Sequence, residues 1–218
     1  MKSLSIFAFL LFASLLYSQE KPFQAEIGLN HSWFIYKIDA VNNVKAEFKP
    51  QIILGLNYTF YTFDNFALKG GIKYHDLYRY INMEPYGYGN GALSTFDNYL
   101  LSVPIQINYN IKIINTSAII NIEPSYILKS KTKTPSFIVP MNFETKDVSN
   151  EMNRLQLAIG IGLEYDFNLY NQRFGIKSIY NYMMTNIPKK GVFTDATGAH
   201  SWAEFNTTEL NLLLTYYF

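Results

Sequence analysis

Three histidines, His31, His75 and His200, are the side chains of this sequence best suited to carry a proton or hold a metal near neutral pH. His200 is followed by Ser201, with Asp195 and Glu204 close by, so a base, a nucleophile and an acid share one stretch. A hydrolase or acyltransferase of the lipid-modifying barrel kind would need such a set. Adjacent side chains of an extended segment point to opposite sides, however, and no G-x-S-x-G elbow presents a serine. A polar loop accounts for the stretch better. No histidine pair has the spacing of a helical zinc motif, and the absence of cysteine removes thiolate chemistry, Cys-based metal sites and disulfides together. Gly160-x-Gly162 lies mid-strand with no helix after it, which excludes a dinucleotide loop and leaves room for neighbouring side chains. The expectation is a non-enzyme with no catalytic residue, cofactor or metal.

The remaining candidates are charges. Glu26, Glu123, Glu164 and Glu209, with Lys69, Lys73, Arg154 and Lys177, fall on the polar side of segments that alternate with period two. Unpaired charge shut away from water is costly, so acids and bases sharing one face are expected to neutralise one another. The expected result is a polar plug; a narrow ion path is the alternative. The run Lys129-Ser130-Lys131-Thr132-Lys133 and the pair Lys189-Lys190 read as solvated charge at loop bases, with lipopolysaccharide phosphates as the functional option. Pro85-Tyr86-Gly87-Tyr88-Gly89-Asn90-Gly91 has the composition of an adaptable contact loop, and equally of an ordinary loop tip. His31 falls on an apolar row near one rim.

Strands must position these groups. Between Arg154 and Phe167 the odd positions are Leu155, Leu157, Ile159, Ile161, Leu163, Tyr165 and Phe167. The even positions are Arg154, Gln156, Ala158, Gly160, Gly162, Glu164 and Asp166. Helical spacing would mix the two classes; alternation separates them. Residues 23–35, 51–60, 66–81, 98–109, 116–129, 173–185 and about 207–218 follow the same rule, which makes eight segments. In the last, Leu210, Leu212, Leu214, Tyr216 and Phe218 form one apolar row. The apolar rows tend to end in Tyr or Phe, where an interfacial girdle belongs. Short connections at 61–65, 110–115 and 168–172 alternate with long ones at 36–50, 82–97, 130–153 and 186–206. Short turns at one rim and long loops at the other predict an all-β, eight-stranded antiparallel up-and-down transmembrane β-barrel, with the long loops extracellular.

Composition agrees. Aromatics are 17% of the chain and charged residues only 16%, below the roughly 25% of ordinary soluble domains. Lys2 followed by the apolar run from Leu4 to Tyr17 and small Ser18 predicts a secretory signal peptide over residues 1–18, cleaved near Ser18/Gln19. The predicted barrel domain is 19–218, and export to the outer membrane of a Gram-negative envelope follows. Without Lys2, basic and acidic residues are equal in number, which gives no reason to expect a nucleic-acid partner.

The segment Asn98-Tyr99-Leu100-Leu101-Ser102-Val103-Pro104-Ile105-Gln106-Ile107-Asn108-Tyr109 resembles the Y-L-x-I-P-L strand of the PorT-like outer-membrane β-barrel domain family, with Val103 where Ile is usual. The resemblance implies an eight-stranded barrel and little about activity. It also implies that Tyr216 and Phe218 form the terminal signal read by the barrel-assembly machinery. The expected function is thus structural or surface-interacting, without catalysis. Its partners are expected to be outer-membrane lipid, the assembly machinery during biogenesis, and lipopolysaccharide or a surface partner at the long loops. The alternatives are a lipid-modifying barrel enzyme and a lipocalin-like soluble carrier whose apolar rows turn inward around a ligand.

Overall fold

The computed structural model describes residues 22–36, 49–83, 92–135, 143–185 and 205–218. These form ten strands: β1 (Phe23–Tyr36), β2 (Gln51–Phe63), β3 (Phe66–Met83), β4 (Ala92–Ser102), β5 (Ile105–Ile111), β6 (Thr116–Pro135), β7 (Phe143–Asp147), β8 (Leu155–Leu169), β9 (Gln172–Met183) and β10 (Phe205–Tyr217). The pairing order β2-β1-β10-β9-β8-β6-β4-β3-β5, completed by β2–β3 and β6–β5, closes the sheet on itself. β4 and β5 are halves of one crossing, and β7 pairs β6 off the ring, so the barrel has eight antiparallel staves. Closure leaves the ring itself without an edge strand on which another chain could template.

Alternation decides which face is which. On β8, Leu157, Ile159 and Ile161 stand outward at 37%, 43% and 67% exposure, while Gln156, Ala158, Gly160 and Glu164 are buried between them. β10 repeats this, with Leu212, Leu214, Tyr216 and Phe218 exposed and Asn211, Leu213, Thr215 and Tyr217 buried. The apolar rows therefore wrap the outside and the polar rows fill the lumen. This removes the soluble-carrier alternative, which requires the opposite orientation.

Three two- to four-residue connections hold one rim. Asp64, Asn115, Tyr170 and Asn171 adopt φ of 51°, 50°, 49° and 60°. Asn and Asp tolerate that left-handed region because their short polar side chains bond locally. Tyr170 has no such help, but two successive positive-φ residues fit the twist of a two-residue hairpin joining β8 to β9. At this rim the outward rings touch in series. Tyr165, Phe167, Phe174, Tyr216, Phe218, Phe23, Tyr58 and Phe60 run from β8 round to β2 with centroid separations of 4.9–6.3 Å.

Three local features depart from the expected pattern. Residues 130–153 are not one irregular loop: β6 continues to Pro135 and β7 folds back along it. β4 likewise begins at Ala92, inside the stretch read as a loop. The crossing over 98–109 breaks at Val103 and Pro104, where proline lacks the N–H the ladder needs. It stays in line because Gly71 N–H donates to Pro104 O at 3.1 Å and Val103 N–H to Pro124 O at 2.9 Å. Residues 1–18, the loop 85–91, Lys189, Lys190, Asp195, His200, Ser201 and Glu204 lie outside the described residues.

Candidate functional site

Inward rows of the eight staves place charged side chains in two groups. The first lies toward the short-turn rim and centres on Glu164, which is fully buried in β8. Lys69 Nζ from β3 is 2.9 Å from Glu164 Oε2, and Asn108 Nδ2 from β5 donates to the same oxygen at 3.1 Å. Lys177 Nζ from β9 is 3.6 Å from Glu164 Oε1, forms a second ion pair with Glu26 of β1, and lies 3.3 Å from Gln106 Oε1. Residues from β1, β3, β5, β8 and β9 thus meet on one axis. Every charge there has an opposite partner, as low dielectric requires.

Tyr217 completes this group. Its hydroxyl lies 2.8 Å from Glu164 Oε1 and 2.7 Å from Asp166 Oδ1. Lys69 Nζ is 5.6 Å and Arg173 Cζ 4.4 Å from its ring centroid, both within cation–π range. Arg173 donates to Asp166 Oδ2 at 2.6 Å and carries the network to the rim. Sequence reasoning overlooked Tyr217 because a penultimate aromatic reads as girdle. The available signal was parity: Tyr217 shares its row with Glu209, Asn211 and Thr215, and not with Tyr216 and Phe218.

The second group lies midway along the lumen. Lys73 Nζ of β3 is 2.5 Å from Glu123 Oε1 of β6. Asn121 Nδ2 donates to Glu123 Oε2 at 3.1 Å and to Asn181 Oδ1 at 3.0 Å. His75 Nε2 is 2.8 Å from Ser102 Oγ and 3.6 Å from Glu123 Oε1, and Ser102 Oγ is 2.7 Å from Ser125 Oγ. Asn30 Nδ2 lies 3.4 Å from both His75 Nδ1 and Glu209 Oε2. Beyond this group, toward the long loops, the same inward rows turn apolar with Leu77, Leu100, Ile127 and Met183, all buried. Ions crossing the lumen would have to displace both the paired charges and this layer.

Arg154 corrects the expected inward set. It precedes the first residue of β8, is only half-buried, and donates to Tyr126 Oη at 3.2 Å and Asn150 Oδ1 at 3.0 Å on the outer side. Tyr126 is on the outward row of β6, so Arg154 belongs to the rim and not to the plug.

His75, Ser102 and Glu123 bring together the residue types of a nucleophile, a base and an acid. The geometry is not that of a hydrolytic triad. Glu123 approaches the same imidazole nitrogen as the serine, whereas a triad needs the acid on the opposite nitrogen to orient the ring. His75 and Ser102 are 1% and 0% exposed, so no substrate reaches them. Among the described residues no group of three His, Asp or Glu side chains is placed to hold a metal. Tyr216 and Phe218 face outward at the short-turn rim within the aromatic series.

No protein-family model and no curated protein matches the chain. Among solved structures, Neisserial surface protein A is 12% identical over 90% of this chain and 96% of that one, with a TM-score of 0.43. The N-terminal β-barrel domain of Pseudomonas aeruginosa OprF is 10% identical over 89% and 97%, with a TM-score of 0.39. The outer membrane protease OmpT from Escherichia coli is 10% identical over 90% and 97%, with a TM-score of 0.42. Likeness this distant transfers none of those proteins' activities to this chain.

Proposed function

We propose that this chain is an integral outer-membrane β-barrel of structural or surface-interaction role, with a sealed lumen and no catalysis inside it. The observation that carries the reading is the opposition of the two faces. A belt including Leu54, Leu56, Ile72, Ile107, Ile120, Ile161, Leu212 and Leu214 stands exposed round the outside, and Glu26, Lys69, Lys73, Glu123, Glu164 and Lys177 are paired within. Such a belt in water would drive aggregation, and a closed sheet is one of the two architectures that can face lipid with every backbone group satisfied. The aromatic series at the short-turn rim sits where rings meet a membrane–water interface. The resemblance of residues 98–109 to the PorT-like strand supports the same reading, as does the leader predicted over 1–18.

The test is twofold. Detergent-extracted protein is expected to migrate faster unheated than boiled, with a mature N-terminus at Gln19, and to add no conductance steps to a planar bilayer. Recovery of the chain in the soluble periplasmic fraction would sink the membrane reading. Regular single-channel steps would sink the sealed lumen alone.

A further inference from the structure

β6 changes character at one residue near the long-loop rim. Up to that point its outward row is Ile120, Ile122, Pro124, Tyr126 and Leu128, all exposed. The pairing with β4 then slips: Leu100 lies opposite Ile127 and Tyr99 opposite Lys129, leaving Leu128 as an extra residue. A bulge of this kind exchanges the two faces of the strand beyond it. Ser130 is accordingly turned in and fully buried, Lys129 and Lys133 are exposed, and Lys131 is half-exposed. Without the bulge these lysines would enter the apolar end of the lumen.

Arg154 reaches the same place, its guanidinium held by Tyr126 Oη and Asn150 Oδ1. Lys131 Nζ lies 5.9 Å from the Tyr99 ring centroid. Three acids share the area: Asp97 and Asp147, each paired across the sheet with Lys131, and Asp76, opposite Tyr99. Asp147 lies on β7, beyond the crossing segments, and accepts from Ser149 Oγ at 2.6 Å and Ser149 N at 3.0 Å. These bonds, with Lys129 and Arg154 nearby, hold its carboxyl below the usual range. Lys129, Lys131, Lys133 and Arg154 still outnumber these three carboxylates, which leaves the patch an excess of positive charge. It stands directly above the apolar belt, beside two outward tyrosines, at the level where lipid phosphates lie.

We propose that Lys129, Lys131 and Arg154 form a binding site for the phosphate groups of an outer-leaflet glycolipid, the headgroup of lipopolysaccharide. This rests on the membrane orientation proposed above and names the partner of the outer rim. The planar guanidinium suits two-point contact with a phosphate, and the ammonium groups add point charges beside it. A bulge that sends three lysines outward at headgroup height gives that contact a built position.

The test uses the refolded full-length mature protein in detergent micelles, titrated with lipid A carrying both phosphates and, separately, with dephosphorylated lipid A, read by native mass spectrometry. Wild type is expected to favour the phosphorylated lipid by about tenfold or more. Lys129→Gln/Lys131→Gln/Arg154→Gln is expected to lose that preference while keeping heat-modifiable migration. Should the triple variant not fold, Lys129→Arg/Lys131→Arg, expected to keep the preference, and Arg154→Gln alone, expected to reduce it, decide the question. Equal preference in wild type and the charge-removed variants, no preference in wild type, or full displacement by equimolar inorganic phosphate each overturn the site. Failure of wild type to show heat-modifiable migration would instead strike the underlying membrane reading.

Discussion

Glu164 has the most to lose of any side chain in the lumen. Two lysines, an asparagine and a tyrosine bond to its two oxygens, so removing its charge takes away the acid that Lys69 is paired with and leaves Lys177 with Glu26. Breaking one member of a buried ion pair typically costs about 3–5 kcal/mol, because the remaining charge stays desolvated. Glu164→Gln is therefore expected to lower stability by about that amount, read as a shift of the urea midpoint in lipid vesicles. Glu164→Gln with Lys69→Met should recover part of the loss. An unchanged midpoint in the single variant would mean that the pairs contribute nothing. Arg154 shows the opposite case: one residue before β8 begins, its charge escapes to the rim and is held there by Tyr126 and Asn150.

At the scale of the strand, space inside eight staves is set by the small inward residues. Gly160 of β8 sits between Asn121 of β6 and Asn181 of β9 in the ladder. A Cβ there would run into Asn181 Oδ1 and lie 2.7 Å from the backbone oxygen of Tyr180. That would also disturb the 3.0 Å bond from Asn121 to Asn181 beside Glu123. Gly160→Val is expected to cost about 1–3 kcal/mol of overpacking, visible as a fraction that stays at the unfolded position on unheated gels. Full folding yield would show the lumen has slack at this height. The same strand scale explains where reading the sequence failed. Alternation located every stave, but residues 130–135 and 143–147 carry Lys, Thr, Ser and Glu in place of apolar residues, which looks like loop. They are strand because β6 already exists as a template for β7 to bond to, and a cross-strand ladder needs no apolar row.

For the whole molecule, the outward belt has a depth profile that a solvent-exposed surface lacks. Leu212 lies mid-strand on β10 and is 51% exposed, whereas Tyr182 is one residue from the long-loop end of β9. Charge on a lipid-facing position costs about 2–4 kcal/mol at the bilayer midplane and about 0–1 kcal/mol near the interface. Leu212→Arg should therefore destabilise the vesicle-embedded barrel by the larger amount and Tyr182→Arg by the smaller. Equal effects at the two depths would argue that the belt does not face lipid. The closed ring and the filling of its lumen also belong to this scale, since neither exists until β1 meets β10.

Local chemistry written along the chain determined the staves, their number, their polarity and the two-sided split of side chains. A period-two pattern depends only on the geometry of one extended backbone and needs no partner to be read. Turn residues with a tolerance for positive φ marked the short rim for the same reason. Contacts between staves lie outside that information. Which lysine meets which glutamate depends on register, and register depends on the stagger with which eight strands close. Tyr217 pointing inward to Glu164, Arg154 swinging out to Tyr126, and the bulge at Leu128 that turns three lysines toward the lipid boundary are all consequences of that closure.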